Sequence, residues 1–144
     1  MTGVLVVLAV LILATVFGLW FRANNGRMRT ADVHTAGADE HGGEILDAQA
    51  IGVVLGSRAT LVQFSSAFCQ PCRATRQILD QVSGMIDGVV HVDIDAEANL
   101  DLVRALDIRR TPTVVILDDA GRIRKRASGL PRKADVIAAL GELE

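Results

Sequence analysis

The sequence predicts an α/β fold in which helices flank a central mixed β-sheet, preceded by one N-terminal transmembrane helix. Three observations indicate this architecture: an uncharged apolar run at the N-terminus, short apolar strands that alternate with amphipathic helices, and a closing pair of strands with turn residues between them. We therefore expect three parts, namely a membrane anchor at residues 1–22, a flexible linker at 23–43 and a folded domain at 44–144.

The anchor is predicted from the segment Gly3 to Phe21, which contains no charged residue. As a helix this segment would extend about 28 Å, close to the hydrocarbon thickness of a bilayer. Trp20 lies near its end, where aromatic side chains favour the membrane interface. A cleaved signal peptide is the alternative, but no Lys or Arg precedes the run, and Gly18 to Phe21 is a poor cleavage site.

Basic residues predict the orientation of this anchor. Arg22, Arg27 and Arg29 follow the apolar run, whereas nothing basic precedes it except the terminal amine. The positive-inside rule then places the C-terminal domain in the cytoplasm, on a single-pass cell-membrane anchor. The alternative is a domain outside the cytoplasmic membrane.

The rest of the chain divides into a polar linker and a domain. Between Asn24 and Gly43, the abundance of Gly, Asn, Thr, Asp and Ala predicts a flexible tether in which His34 and His41 are solvated. Apolar residues then recur at helical spacing or in short β-branched runs, which predict alternating helices and buried strands. The expected elements are a partly helical segment at Ile45–Leu55, a strand at Thr60–Phe64, a helix at Pro71–Met85, a strand at Val89–Ile94, a helix at Ala96–Leu106, strands at Thr113–Leu117 and Arg122–Ala127, and a helix from Pro131.

Composition restricts the function. The chain has 144 residues, enough for one domain and an appendage, and its formal net charge of −2 provides no basic field for a nucleic-acid partner. A small domain stabilised by disulfides normally carries several cysteines spread along the chain. Cys69 and Cys72 are instead a single local pair, which indicates a chemical purpose.

The position of this pair favours thiol chemistry. Cys69 falls where the loop after the first predicted strand meets a helix, and Cys72 falls one turn inside that helix. A thiol at a helix N-terminus faces unpaired backbone N–H groups and the positive end of the helix dipole, and both lower its pKa. The first thiolate can attack a substrate disulfide, and the second thiol can then resolve the mixed disulfide. Pro71 suits the first helical turn, where no N–H is required.

A Cys-x-x-Cys pair can also bind a metal ion. Zinc would need two further ligands, for which His34, His41 and His91 are the candidates, whereas two thiolates alone can hold Cu(I). A non-catalytic metal-binding or redox-sensing module is therefore the alternative to thiol exchange. The placement of the pair between a strand and a helix favours exchange, so we expect no metal and no cofactor besides the disulfide itself.

Several separate segments resemble the thioredoxin family, and the resemblance extends over roughly residues 45–144. It implies a thioredoxin fold and a protein-disulfide reductase in cell redox homeostasis, similar to the membrane-anchored thioredoxin-like proteins of bacteria. It also implies protein disulfides as substrates and an electron donor such as a thioredoxin reductase or a membrane reductant. The segments are Leu61–Cys72, Val92–Asp95, Ile108–Thr113 and Gly121–Gly129.

The resemblance implies roles for single residues. Cys69 corresponds to the attacking thiol and Cys72 to the resolving thiol of the family. Pro112 corresponds to the family's cis-proline, which faces the dithiol and lets the backbone of Thr111 pair with an extended substrate segment. The rival function is a disulfide oxidase or isomerase outside the cytoplasmic membrane, because compartment and reduction potential decide the direction of exchange.

The chain departs from the family's pattern around the dithiol. Gln63 stands where the family has a buried Asp, and His91 stands where it has the lysine paired with that Asp. An amide cannot titrate, so His91 is a candidate for part of the proton transfer, against the alternative of a partly buried strand histidine. Ser65 and Phe68 replace the flanking tryptophans, and Gln70 replaces a glycine.

Arginines are expected to lie around the site. A positive rim there would favour the Cys69 thiolate and acidic substrates, although a surface role that aids solubility is the alternative for Arg76. The four residues are Arg73, Arg76, Arg109 and Arg110.

Overall fold

The computed structural model of the protein describes residues 2–24, 28–30, 45–46, 52 and 54–143. The first element is a long helix, α1 (Thr2–Asn24), whose side chains are exposed from Thr2 to Ala23. Residues Thr2–Ala23 have a mean hydropathy of 2.9, and none of that span is buried. By length and composition α1 can cross a membrane, and a signal sequence would have the same properties.

A five-stranded mixed sheet forms the centre of the domain. Its strand order is β1-β5-β4-β2-β3, in which β2 and β3 are parallel and the other neighbours are antiparallel. The predicted mixed sheet is therefore confirmed. The strands are β1 (Arg29–Thr30), β2 (Ala59–Ser65), β3 (Val89–Asp95), β4 (Thr113–Asp118) and β5 (Ile123–Ser128).

Among the described residues of the domain, three helices accompany the sheet: α2 (Gln70–Met85), α3 (Leu100–Ala105) and α4 (Lys133–Gly141). Parallel strands require a crossover connection, and α2 supplies it between β2 and β3. Leu79 and Val82 of α2 pack with Leu140 of α4 in an apolar cluster on one face of the sheet. A second cluster covers the other face, since successive strand residues point to opposite sides.

The predicted strands and α2 agree with the structure to within about one residue at each end, which is the usual uncertainty of element boundaries. The predicted helix at Ala96–Leu106 is too long, because the chain turns before α3 begins. The Asp95 carboxylate accepts the backbone N–H of Glu97 at 2.9 Å, and the side-chain amide of Asn99 donates to the Asp95 carbonyl at 2.9 Å. These contacts hold the chain in a turn up to Leu100.

Two predicted segments lie mostly outside the described residues. The linker at 23–43, with His34 and His41, is described only at residues 23–24 and 28–30, where Arg29 and Thr30 form β1 against β5. Within the predicted helical segment 45–55, Ile45 forms an isolated antiparallel bridge with Arg122. Most of the remainder of that segment, residues 47–51 and 53, is not among the described residues.

Candidate active site

Helix α2 begins at the cysteine pair. Cys69 is the N-cap residue, with an extended backbone at φ −88° and ψ 99°, and its Sγ accepts the backbone N–H of Cys72 at 3.2 Å. Pro71 occupies the first helical turn, where its missing N–H leaves no hydrogen bond unmade. The Cys69 sulfur therefore lies at the positive end of the α2 dipole, in contact with one of its free N–H groups.

Cys69 and Cys72 form a disulfide, with their Cα atoms 5.3 Å apart. The two sulfurs differ in access to solvent, because Cys72 is buried at 3% exposure whereas Cys69 is partly exposed. Stepwise thiol exchange requires this difference, since the attacking thiol must meet a substrate and the resolving thiol must be shielded from it.

The loop before β4 contacts the loop that carries Cys69. The peptide bond between Thr111 and Pro112 is cis, and Pro112 is buried. The Thr111 and Ser66 hydroxyl oxygens are 3.0 Å apart, which connects this loop to the loop that carries Cys69. The Pro112 carbonyl accepts the N–H of Gly129 at 2.8 Å. Each of the two residues joined by the cis bond thus has a hydrogen bond, Thr111 to the loop that carries Cys69 and Pro112 to Gly129 after β5.

Gln63 lies beneath the dithiol. It is fully buried in β2, and its side-chain amide donates to the Cys72 carbonyl at 2.9 Å. The Gln63 Oε1 atom is buried and has no hydrogen-bond partner among the described residues. The group beneath the dithiol is thus a neutral amide. It supports the first turn of α2 but cannot exchange protons.

The structure adds a carboxylate that sequence reasoning missed. Asp93 of β3 lies in register with Gln63 of β2. The Ser65 hydroxyl donates to Asp93 Oδ1 at 2.5 Å, and Arg76 Nε donates to Asp93 Oδ2 at 2.7 Å. A second Arg76 nitrogen also contacts Oδ2, so two guanidinium nitrogens share one carboxylate oxygen. The sequence did contain a signal for Asp93. Side chains alternate along a strand, so Asp93 lies on the same face of β3 as His91, which was already a candidate site residue.

These groups line an open groove of about 310 Å³ beside the disulfide, which we call the dithiol groove. Its walls combine the two cysteines with hydroxyls, two carboxylates and two guanidinium groups. The residues with charged or reactive side chains in it are Cys69, Cys72, Arg73, Arg76, Asp93 and Asp95.

His91 does not line the dithiol groove. Its side chain is 7% exposed, and Nδ1 lies 2.6 Å from the Asp80 carboxylate on α2. In the sheet His91 is in register with Leu61, one inward-facing position farther from the cysteines than Gln63. His91 therefore connects β3 to α2 through its contact with Asp80. These contacts do not support the predicted part of His91 in proton transfer.

The four arginines of the predicted rim divide into two pairs. Arg73 and Arg76 line the dithiol groove. Arg109 and Arg110 do not, because Arg109 pairs with Asp107 at 3.0 Å and Arg110 donates to the Ser128 carbonyl at 3.1 Å. The hydrogen bond from Arg109 lowers the pKa of the exposed Asp107 carboxyl and raises the pKa of the guanidinium.

The outer surface of the site is apolar at one point. Phe68, directly before Cys69, is 97% exposed, and Gln70 after Cys69 is exposed as well. Within the described part of the chain, no group of three or more His, Cys, Asp or Glu side chains is placed to hold a metal ion.

Comparisons with known proteins agree with this arrangement. The thioredoxin family model matches residues 49–142. A thioredoxin from Mycolicibacterium smegmatis is 29% identical over 93 residues, covering 62% of this chain and 82% of that protein. Thioredoxin H5 from Oryza sativa subsp. japonica is 28% identical over 72 residues, covering 50% of this chain and 53% of the rice protein. The chain thus spans about half the length of that rice relative.

Solved structures show the same fold. Chloroplastic thioredoxin z is similar with a TM-score of 0.57 and 28% identity, covering 76% of this chain and 97% of that chain. Spinach chloroplast thioredoxin f has a TM-score of 0.54 and 20% identity, covering 61% and 78%. The mixed sheet with its flanking helices is therefore the thioredoxin fold.

Proposed function

The chain belongs to the thioredoxin family, and we propose that it reduces protein disulfides beside a membrane. It is a thiol–disulfide oxidoreductase whose redox-active group is the Cys69–Cys72 pair. The observation that carries the proposal is the position of this pair, with a partly exposed sulfur as the N-cap of α2 and a buried sulfur one turn later.

The reaction starts from the reduced dithiol. The Cys69 thiolate attacks one sulfur of a substrate disulfide, a mixed disulfide forms, and the other substrate sulfur leaves as a thiolate. Cys72 then loses its proton and attacks the Cys69 sulfur, which releases the second substrate sulfur. The substrate gains two electrons and becomes a dithiol, and the protein ends as the Cys69–Cys72 disulfide.

The surroundings of the pair support these two steps. The N–H of Cys72 and the α2 dipole stabilise negative charge on Cys69. The amide of Gln63 holds the first turn of α2 from below. The Thr111 backbone, positioned by the cis bond to Pro112, pairs with an extended substrate segment next to its disulfide.

Turnover requires an electron donor. The disulfide formed in each cycle must be reduced before the next cycle, and a thioredoxin reductase or a membrane reductant supplies the two electrons. The departures around the dithiol, including exposed Phe68 and Gln70, present this donor with a different surface from that of the family's pattern.

Helix α1 anchors the enzyme in the cell membrane as a single span. Its length and hydropathy support this location. Arg22 lies in the last turn of α1, and Arg27 and Arg29 follow the helix, so the domain faces the cytoplasm, the compartment in which disulfides are reduced.

Reduction of insulin by the full chain, with dithiothreitol as the electron source, tests the activity. We expect Cys69→Ser and Cys72→Ser to abolish catalytic turnover, because each removes one of the two sulfurs that the cycle needs. Full turnover by both variants would show that the dithiol is not the reacting group.

A reporter fused after Glu144 tests the orientation separately. An enzyme reporter that is active only in the cytoplasm should be active in this fusion. Activity of a reporter that works only outside the membrane would instead assign the domain to the compartment of the oxidase or isomerase.

A further inference from the structure

Strand β1 holds the domain close to the end of α1. Sequence composition predicts one flexible tether over residues 23–43, yet Arg29 and Thr30 pair with Arg126 and Lys125 of β5. Met28, which directly precedes them, packs against the apolar cluster between the sheet and the helices α2 and α4. The folded domain therefore begins at residue 28, and residues 25–27 alone separate it from α1.

The short spacer limits the distance between the domain and the membrane. From Asn24 to Arg29 the chain can extend about 18 Å at most. A flexible tether over the whole of 23–43 would have a root-mean-square reach of about 25 Å and would leave the domain free to turn. Pairing of β1 removes most of that freedom.

The direction of β1 determines which end of the sheet faces α1. Strand β5 ends at Ser128, which lies opposite Thr113, the residue after Pro112. The dithiol end of the sheet is therefore the end at which β5 finishes. Because β1 is antiparallel to β5, the chain enters β1 from that same end, with Arg29 nearer to it than Thr30.

Met28 supports this path. Side chains alternate along a strand, and Lys125 is the backbone partner of residue 30, so Met28 should lie on the same side of the sheet as Lys125. Met28 and Lys125 indeed line one shallow groove, together with Ala138, Ala139 and Glu142 around the end of α4. The extended direction of β1 thus continues through Met28 toward the dithiol end and toward α1.

We propose that β1 fixes the dithiol end of the domain toward the bilayer, so that the substrates are disulfides in the membrane-proximal parts of membrane proteins. The inference rests on the proposed membrane anchor and exchange activity. Arg29 lies about 14 Å from β2 across three strand spacings, and the dithiol lies on the membrane side of Arg29. The reactive sulfur is therefore confined to about 20 Å from the surface at which α1 ends.

A pair of insertions tests the proposal. One variant carries a Gly/Ser segment of about 12 residues between Asn24 and Asn25, which adds a reach of about 20 Å before β1. The matched control carries the same segment between Gly37 and Ala38, after β1. Both are made in the Cys72→Ser background, in which Cys69 attack leaves a stable mixed disulfide.

The full-length variants are placed in vesicles with a single-span reporter whose disulfide stands at graded heights above the bilayer on a rigid helix. The yield of mixed disulfide is measured at each height. For the parent and the control, we expect mixed disulfide only with reporter disulfides within about 20 Å of the bilayer surface. For the insertion before β1, we expect the range of reactive heights to extend outward by about 20 Å. Equal shifts from the two insertions would overturn the proposal, because residues 23–43 would then act as one tether.

Insulin reduction by the chain with both cysteines separates this outcome from failure of the proposed function. If reduction persists while the two insertions shift the profile equally, only the role of β1 is wrong. Loss of insulin reduction, or release of the full chain from vesicles by alkaline carbonate, would overturn the proposed activity or the anchor, and with it the inference.

Discussion

The two faces of the sheet differ toward the dithiol end. On the face away from α2, Val62 and Phe64 continue an apolar cluster to the end of β2. On the face beneath α2, the apolar positions stop at Leu61, and Gln63 and Ser65 follow, both buried. The exception on the first face of β2 is Thr60, at the opposite end of the strand, whose hydroxyl accepts the Gly56 N–H at 2.9 Å. At the dithiol end of β2, one face thus keeps its apolar packing, and the other exchanges part of it for groups that position the dithiol.

The largest expected effect is on the apolar face. Phe64 is fully buried, so Phe64→Ala should lower the free energy of unfolding by about 3–5 kcal/mol. Urea unfolding measures this change. Insulin reduction per folded molecule should stay near the wild-type rate, because Phe64 points away from the dithiol. A loss below about 1 kcal/mol would contradict the division between the faces.

On the polar face, Gln63→Asp should introduce a group that titrates. Burial raises the pKa of such a carboxyl, and each tenfold fall in its acid dissociation constant corresponds to about 1.4 kcal/mol. The folded state then binds a proton more tightly than the unfolded state. The variant should therefore lose stability relative to wild type as pH rises from the unfolded pKa to the raised folded pKa.

Urea unfolding at pH 4 and pH 8 measures this effect, and Gln63→Asn provides a control that cannot titrate. A stability difference between the variants that does not depend on pH would contradict the burial assigned to Gln63. The rate of the resolving step in insulin reduction should acquire the same pH dependence if Cys72 transfers its proton to this carboxylate.

A smaller effect is expected from Asp93→Asn. The change removes an anion from the dithiol groove and releases Arg76, and both consequences favour the Cys69 thiolate. Alkylation of reduced Cys69 at pH 6 should accelerate about threefold or more. Stability should change by about 1 kcal/mol at most, since the ion pair is partly exposed.

Asp101→Asn is the matched control for this change, because Asp101 forms an exposed ion pair with Arg104 within α3. It should leave the alkylation rate unchanged. Equal acceleration by both variants would mean that overall charge, and not the contact with the dithiol groove, determines thiol reactivity.

The smallest effect is expected from His91→Gln. His91 contacts Asp80 and does not line the dithiol groove, so the rate of insulin reduction at pH 7 should change by less than about twofold. Loss of a general base would instead slow the reaction by about 100-fold. A drop of that size would restore His91 to the proton transfer that its place in the sequence suggests.

Much of the polar face could be predicted from the sequence. The dithiol at a helix start and the strand before it follow from local patterns, such as an apolar β-branched run and the spacing of Cys69 and Cys72. The place of Pro112 opposite the dithiol follows only from the resemblance to the thioredoxin family, since its local pattern indicates a proline at a strand edge. The same resemblance identifies Gln63, which stands where the family has a buried Asp. The structure adds its hydrogen bond to the Cys72 carbonyl.

The remaining features depend on contacts between distant segments. Asp93 reaches the dithiol groove only because β2 and β3 pair in one particular register, and local spacing does not specify that register. His91 meets Asp80 across the packing of α2 on the sheet. Strand β1 has two residues within a polar segment, so its pairing with β5 has no signature in composition.

The central claim is that Cys69 attacks and Cys72 resolves. Incubation of the reduced single-cysteine variants with a peptide disulfide, followed by mass spectrometry of the intact chain, tests it most directly. Cys72→Ser should accumulate a mixed disulfide at Cys69. Cys69→Ser should form much less, because Cys72 is 3% exposed. A mixed disulfide that forms faster on Cys72 than on Cys69 would contradict the assignment of the two sulfurs.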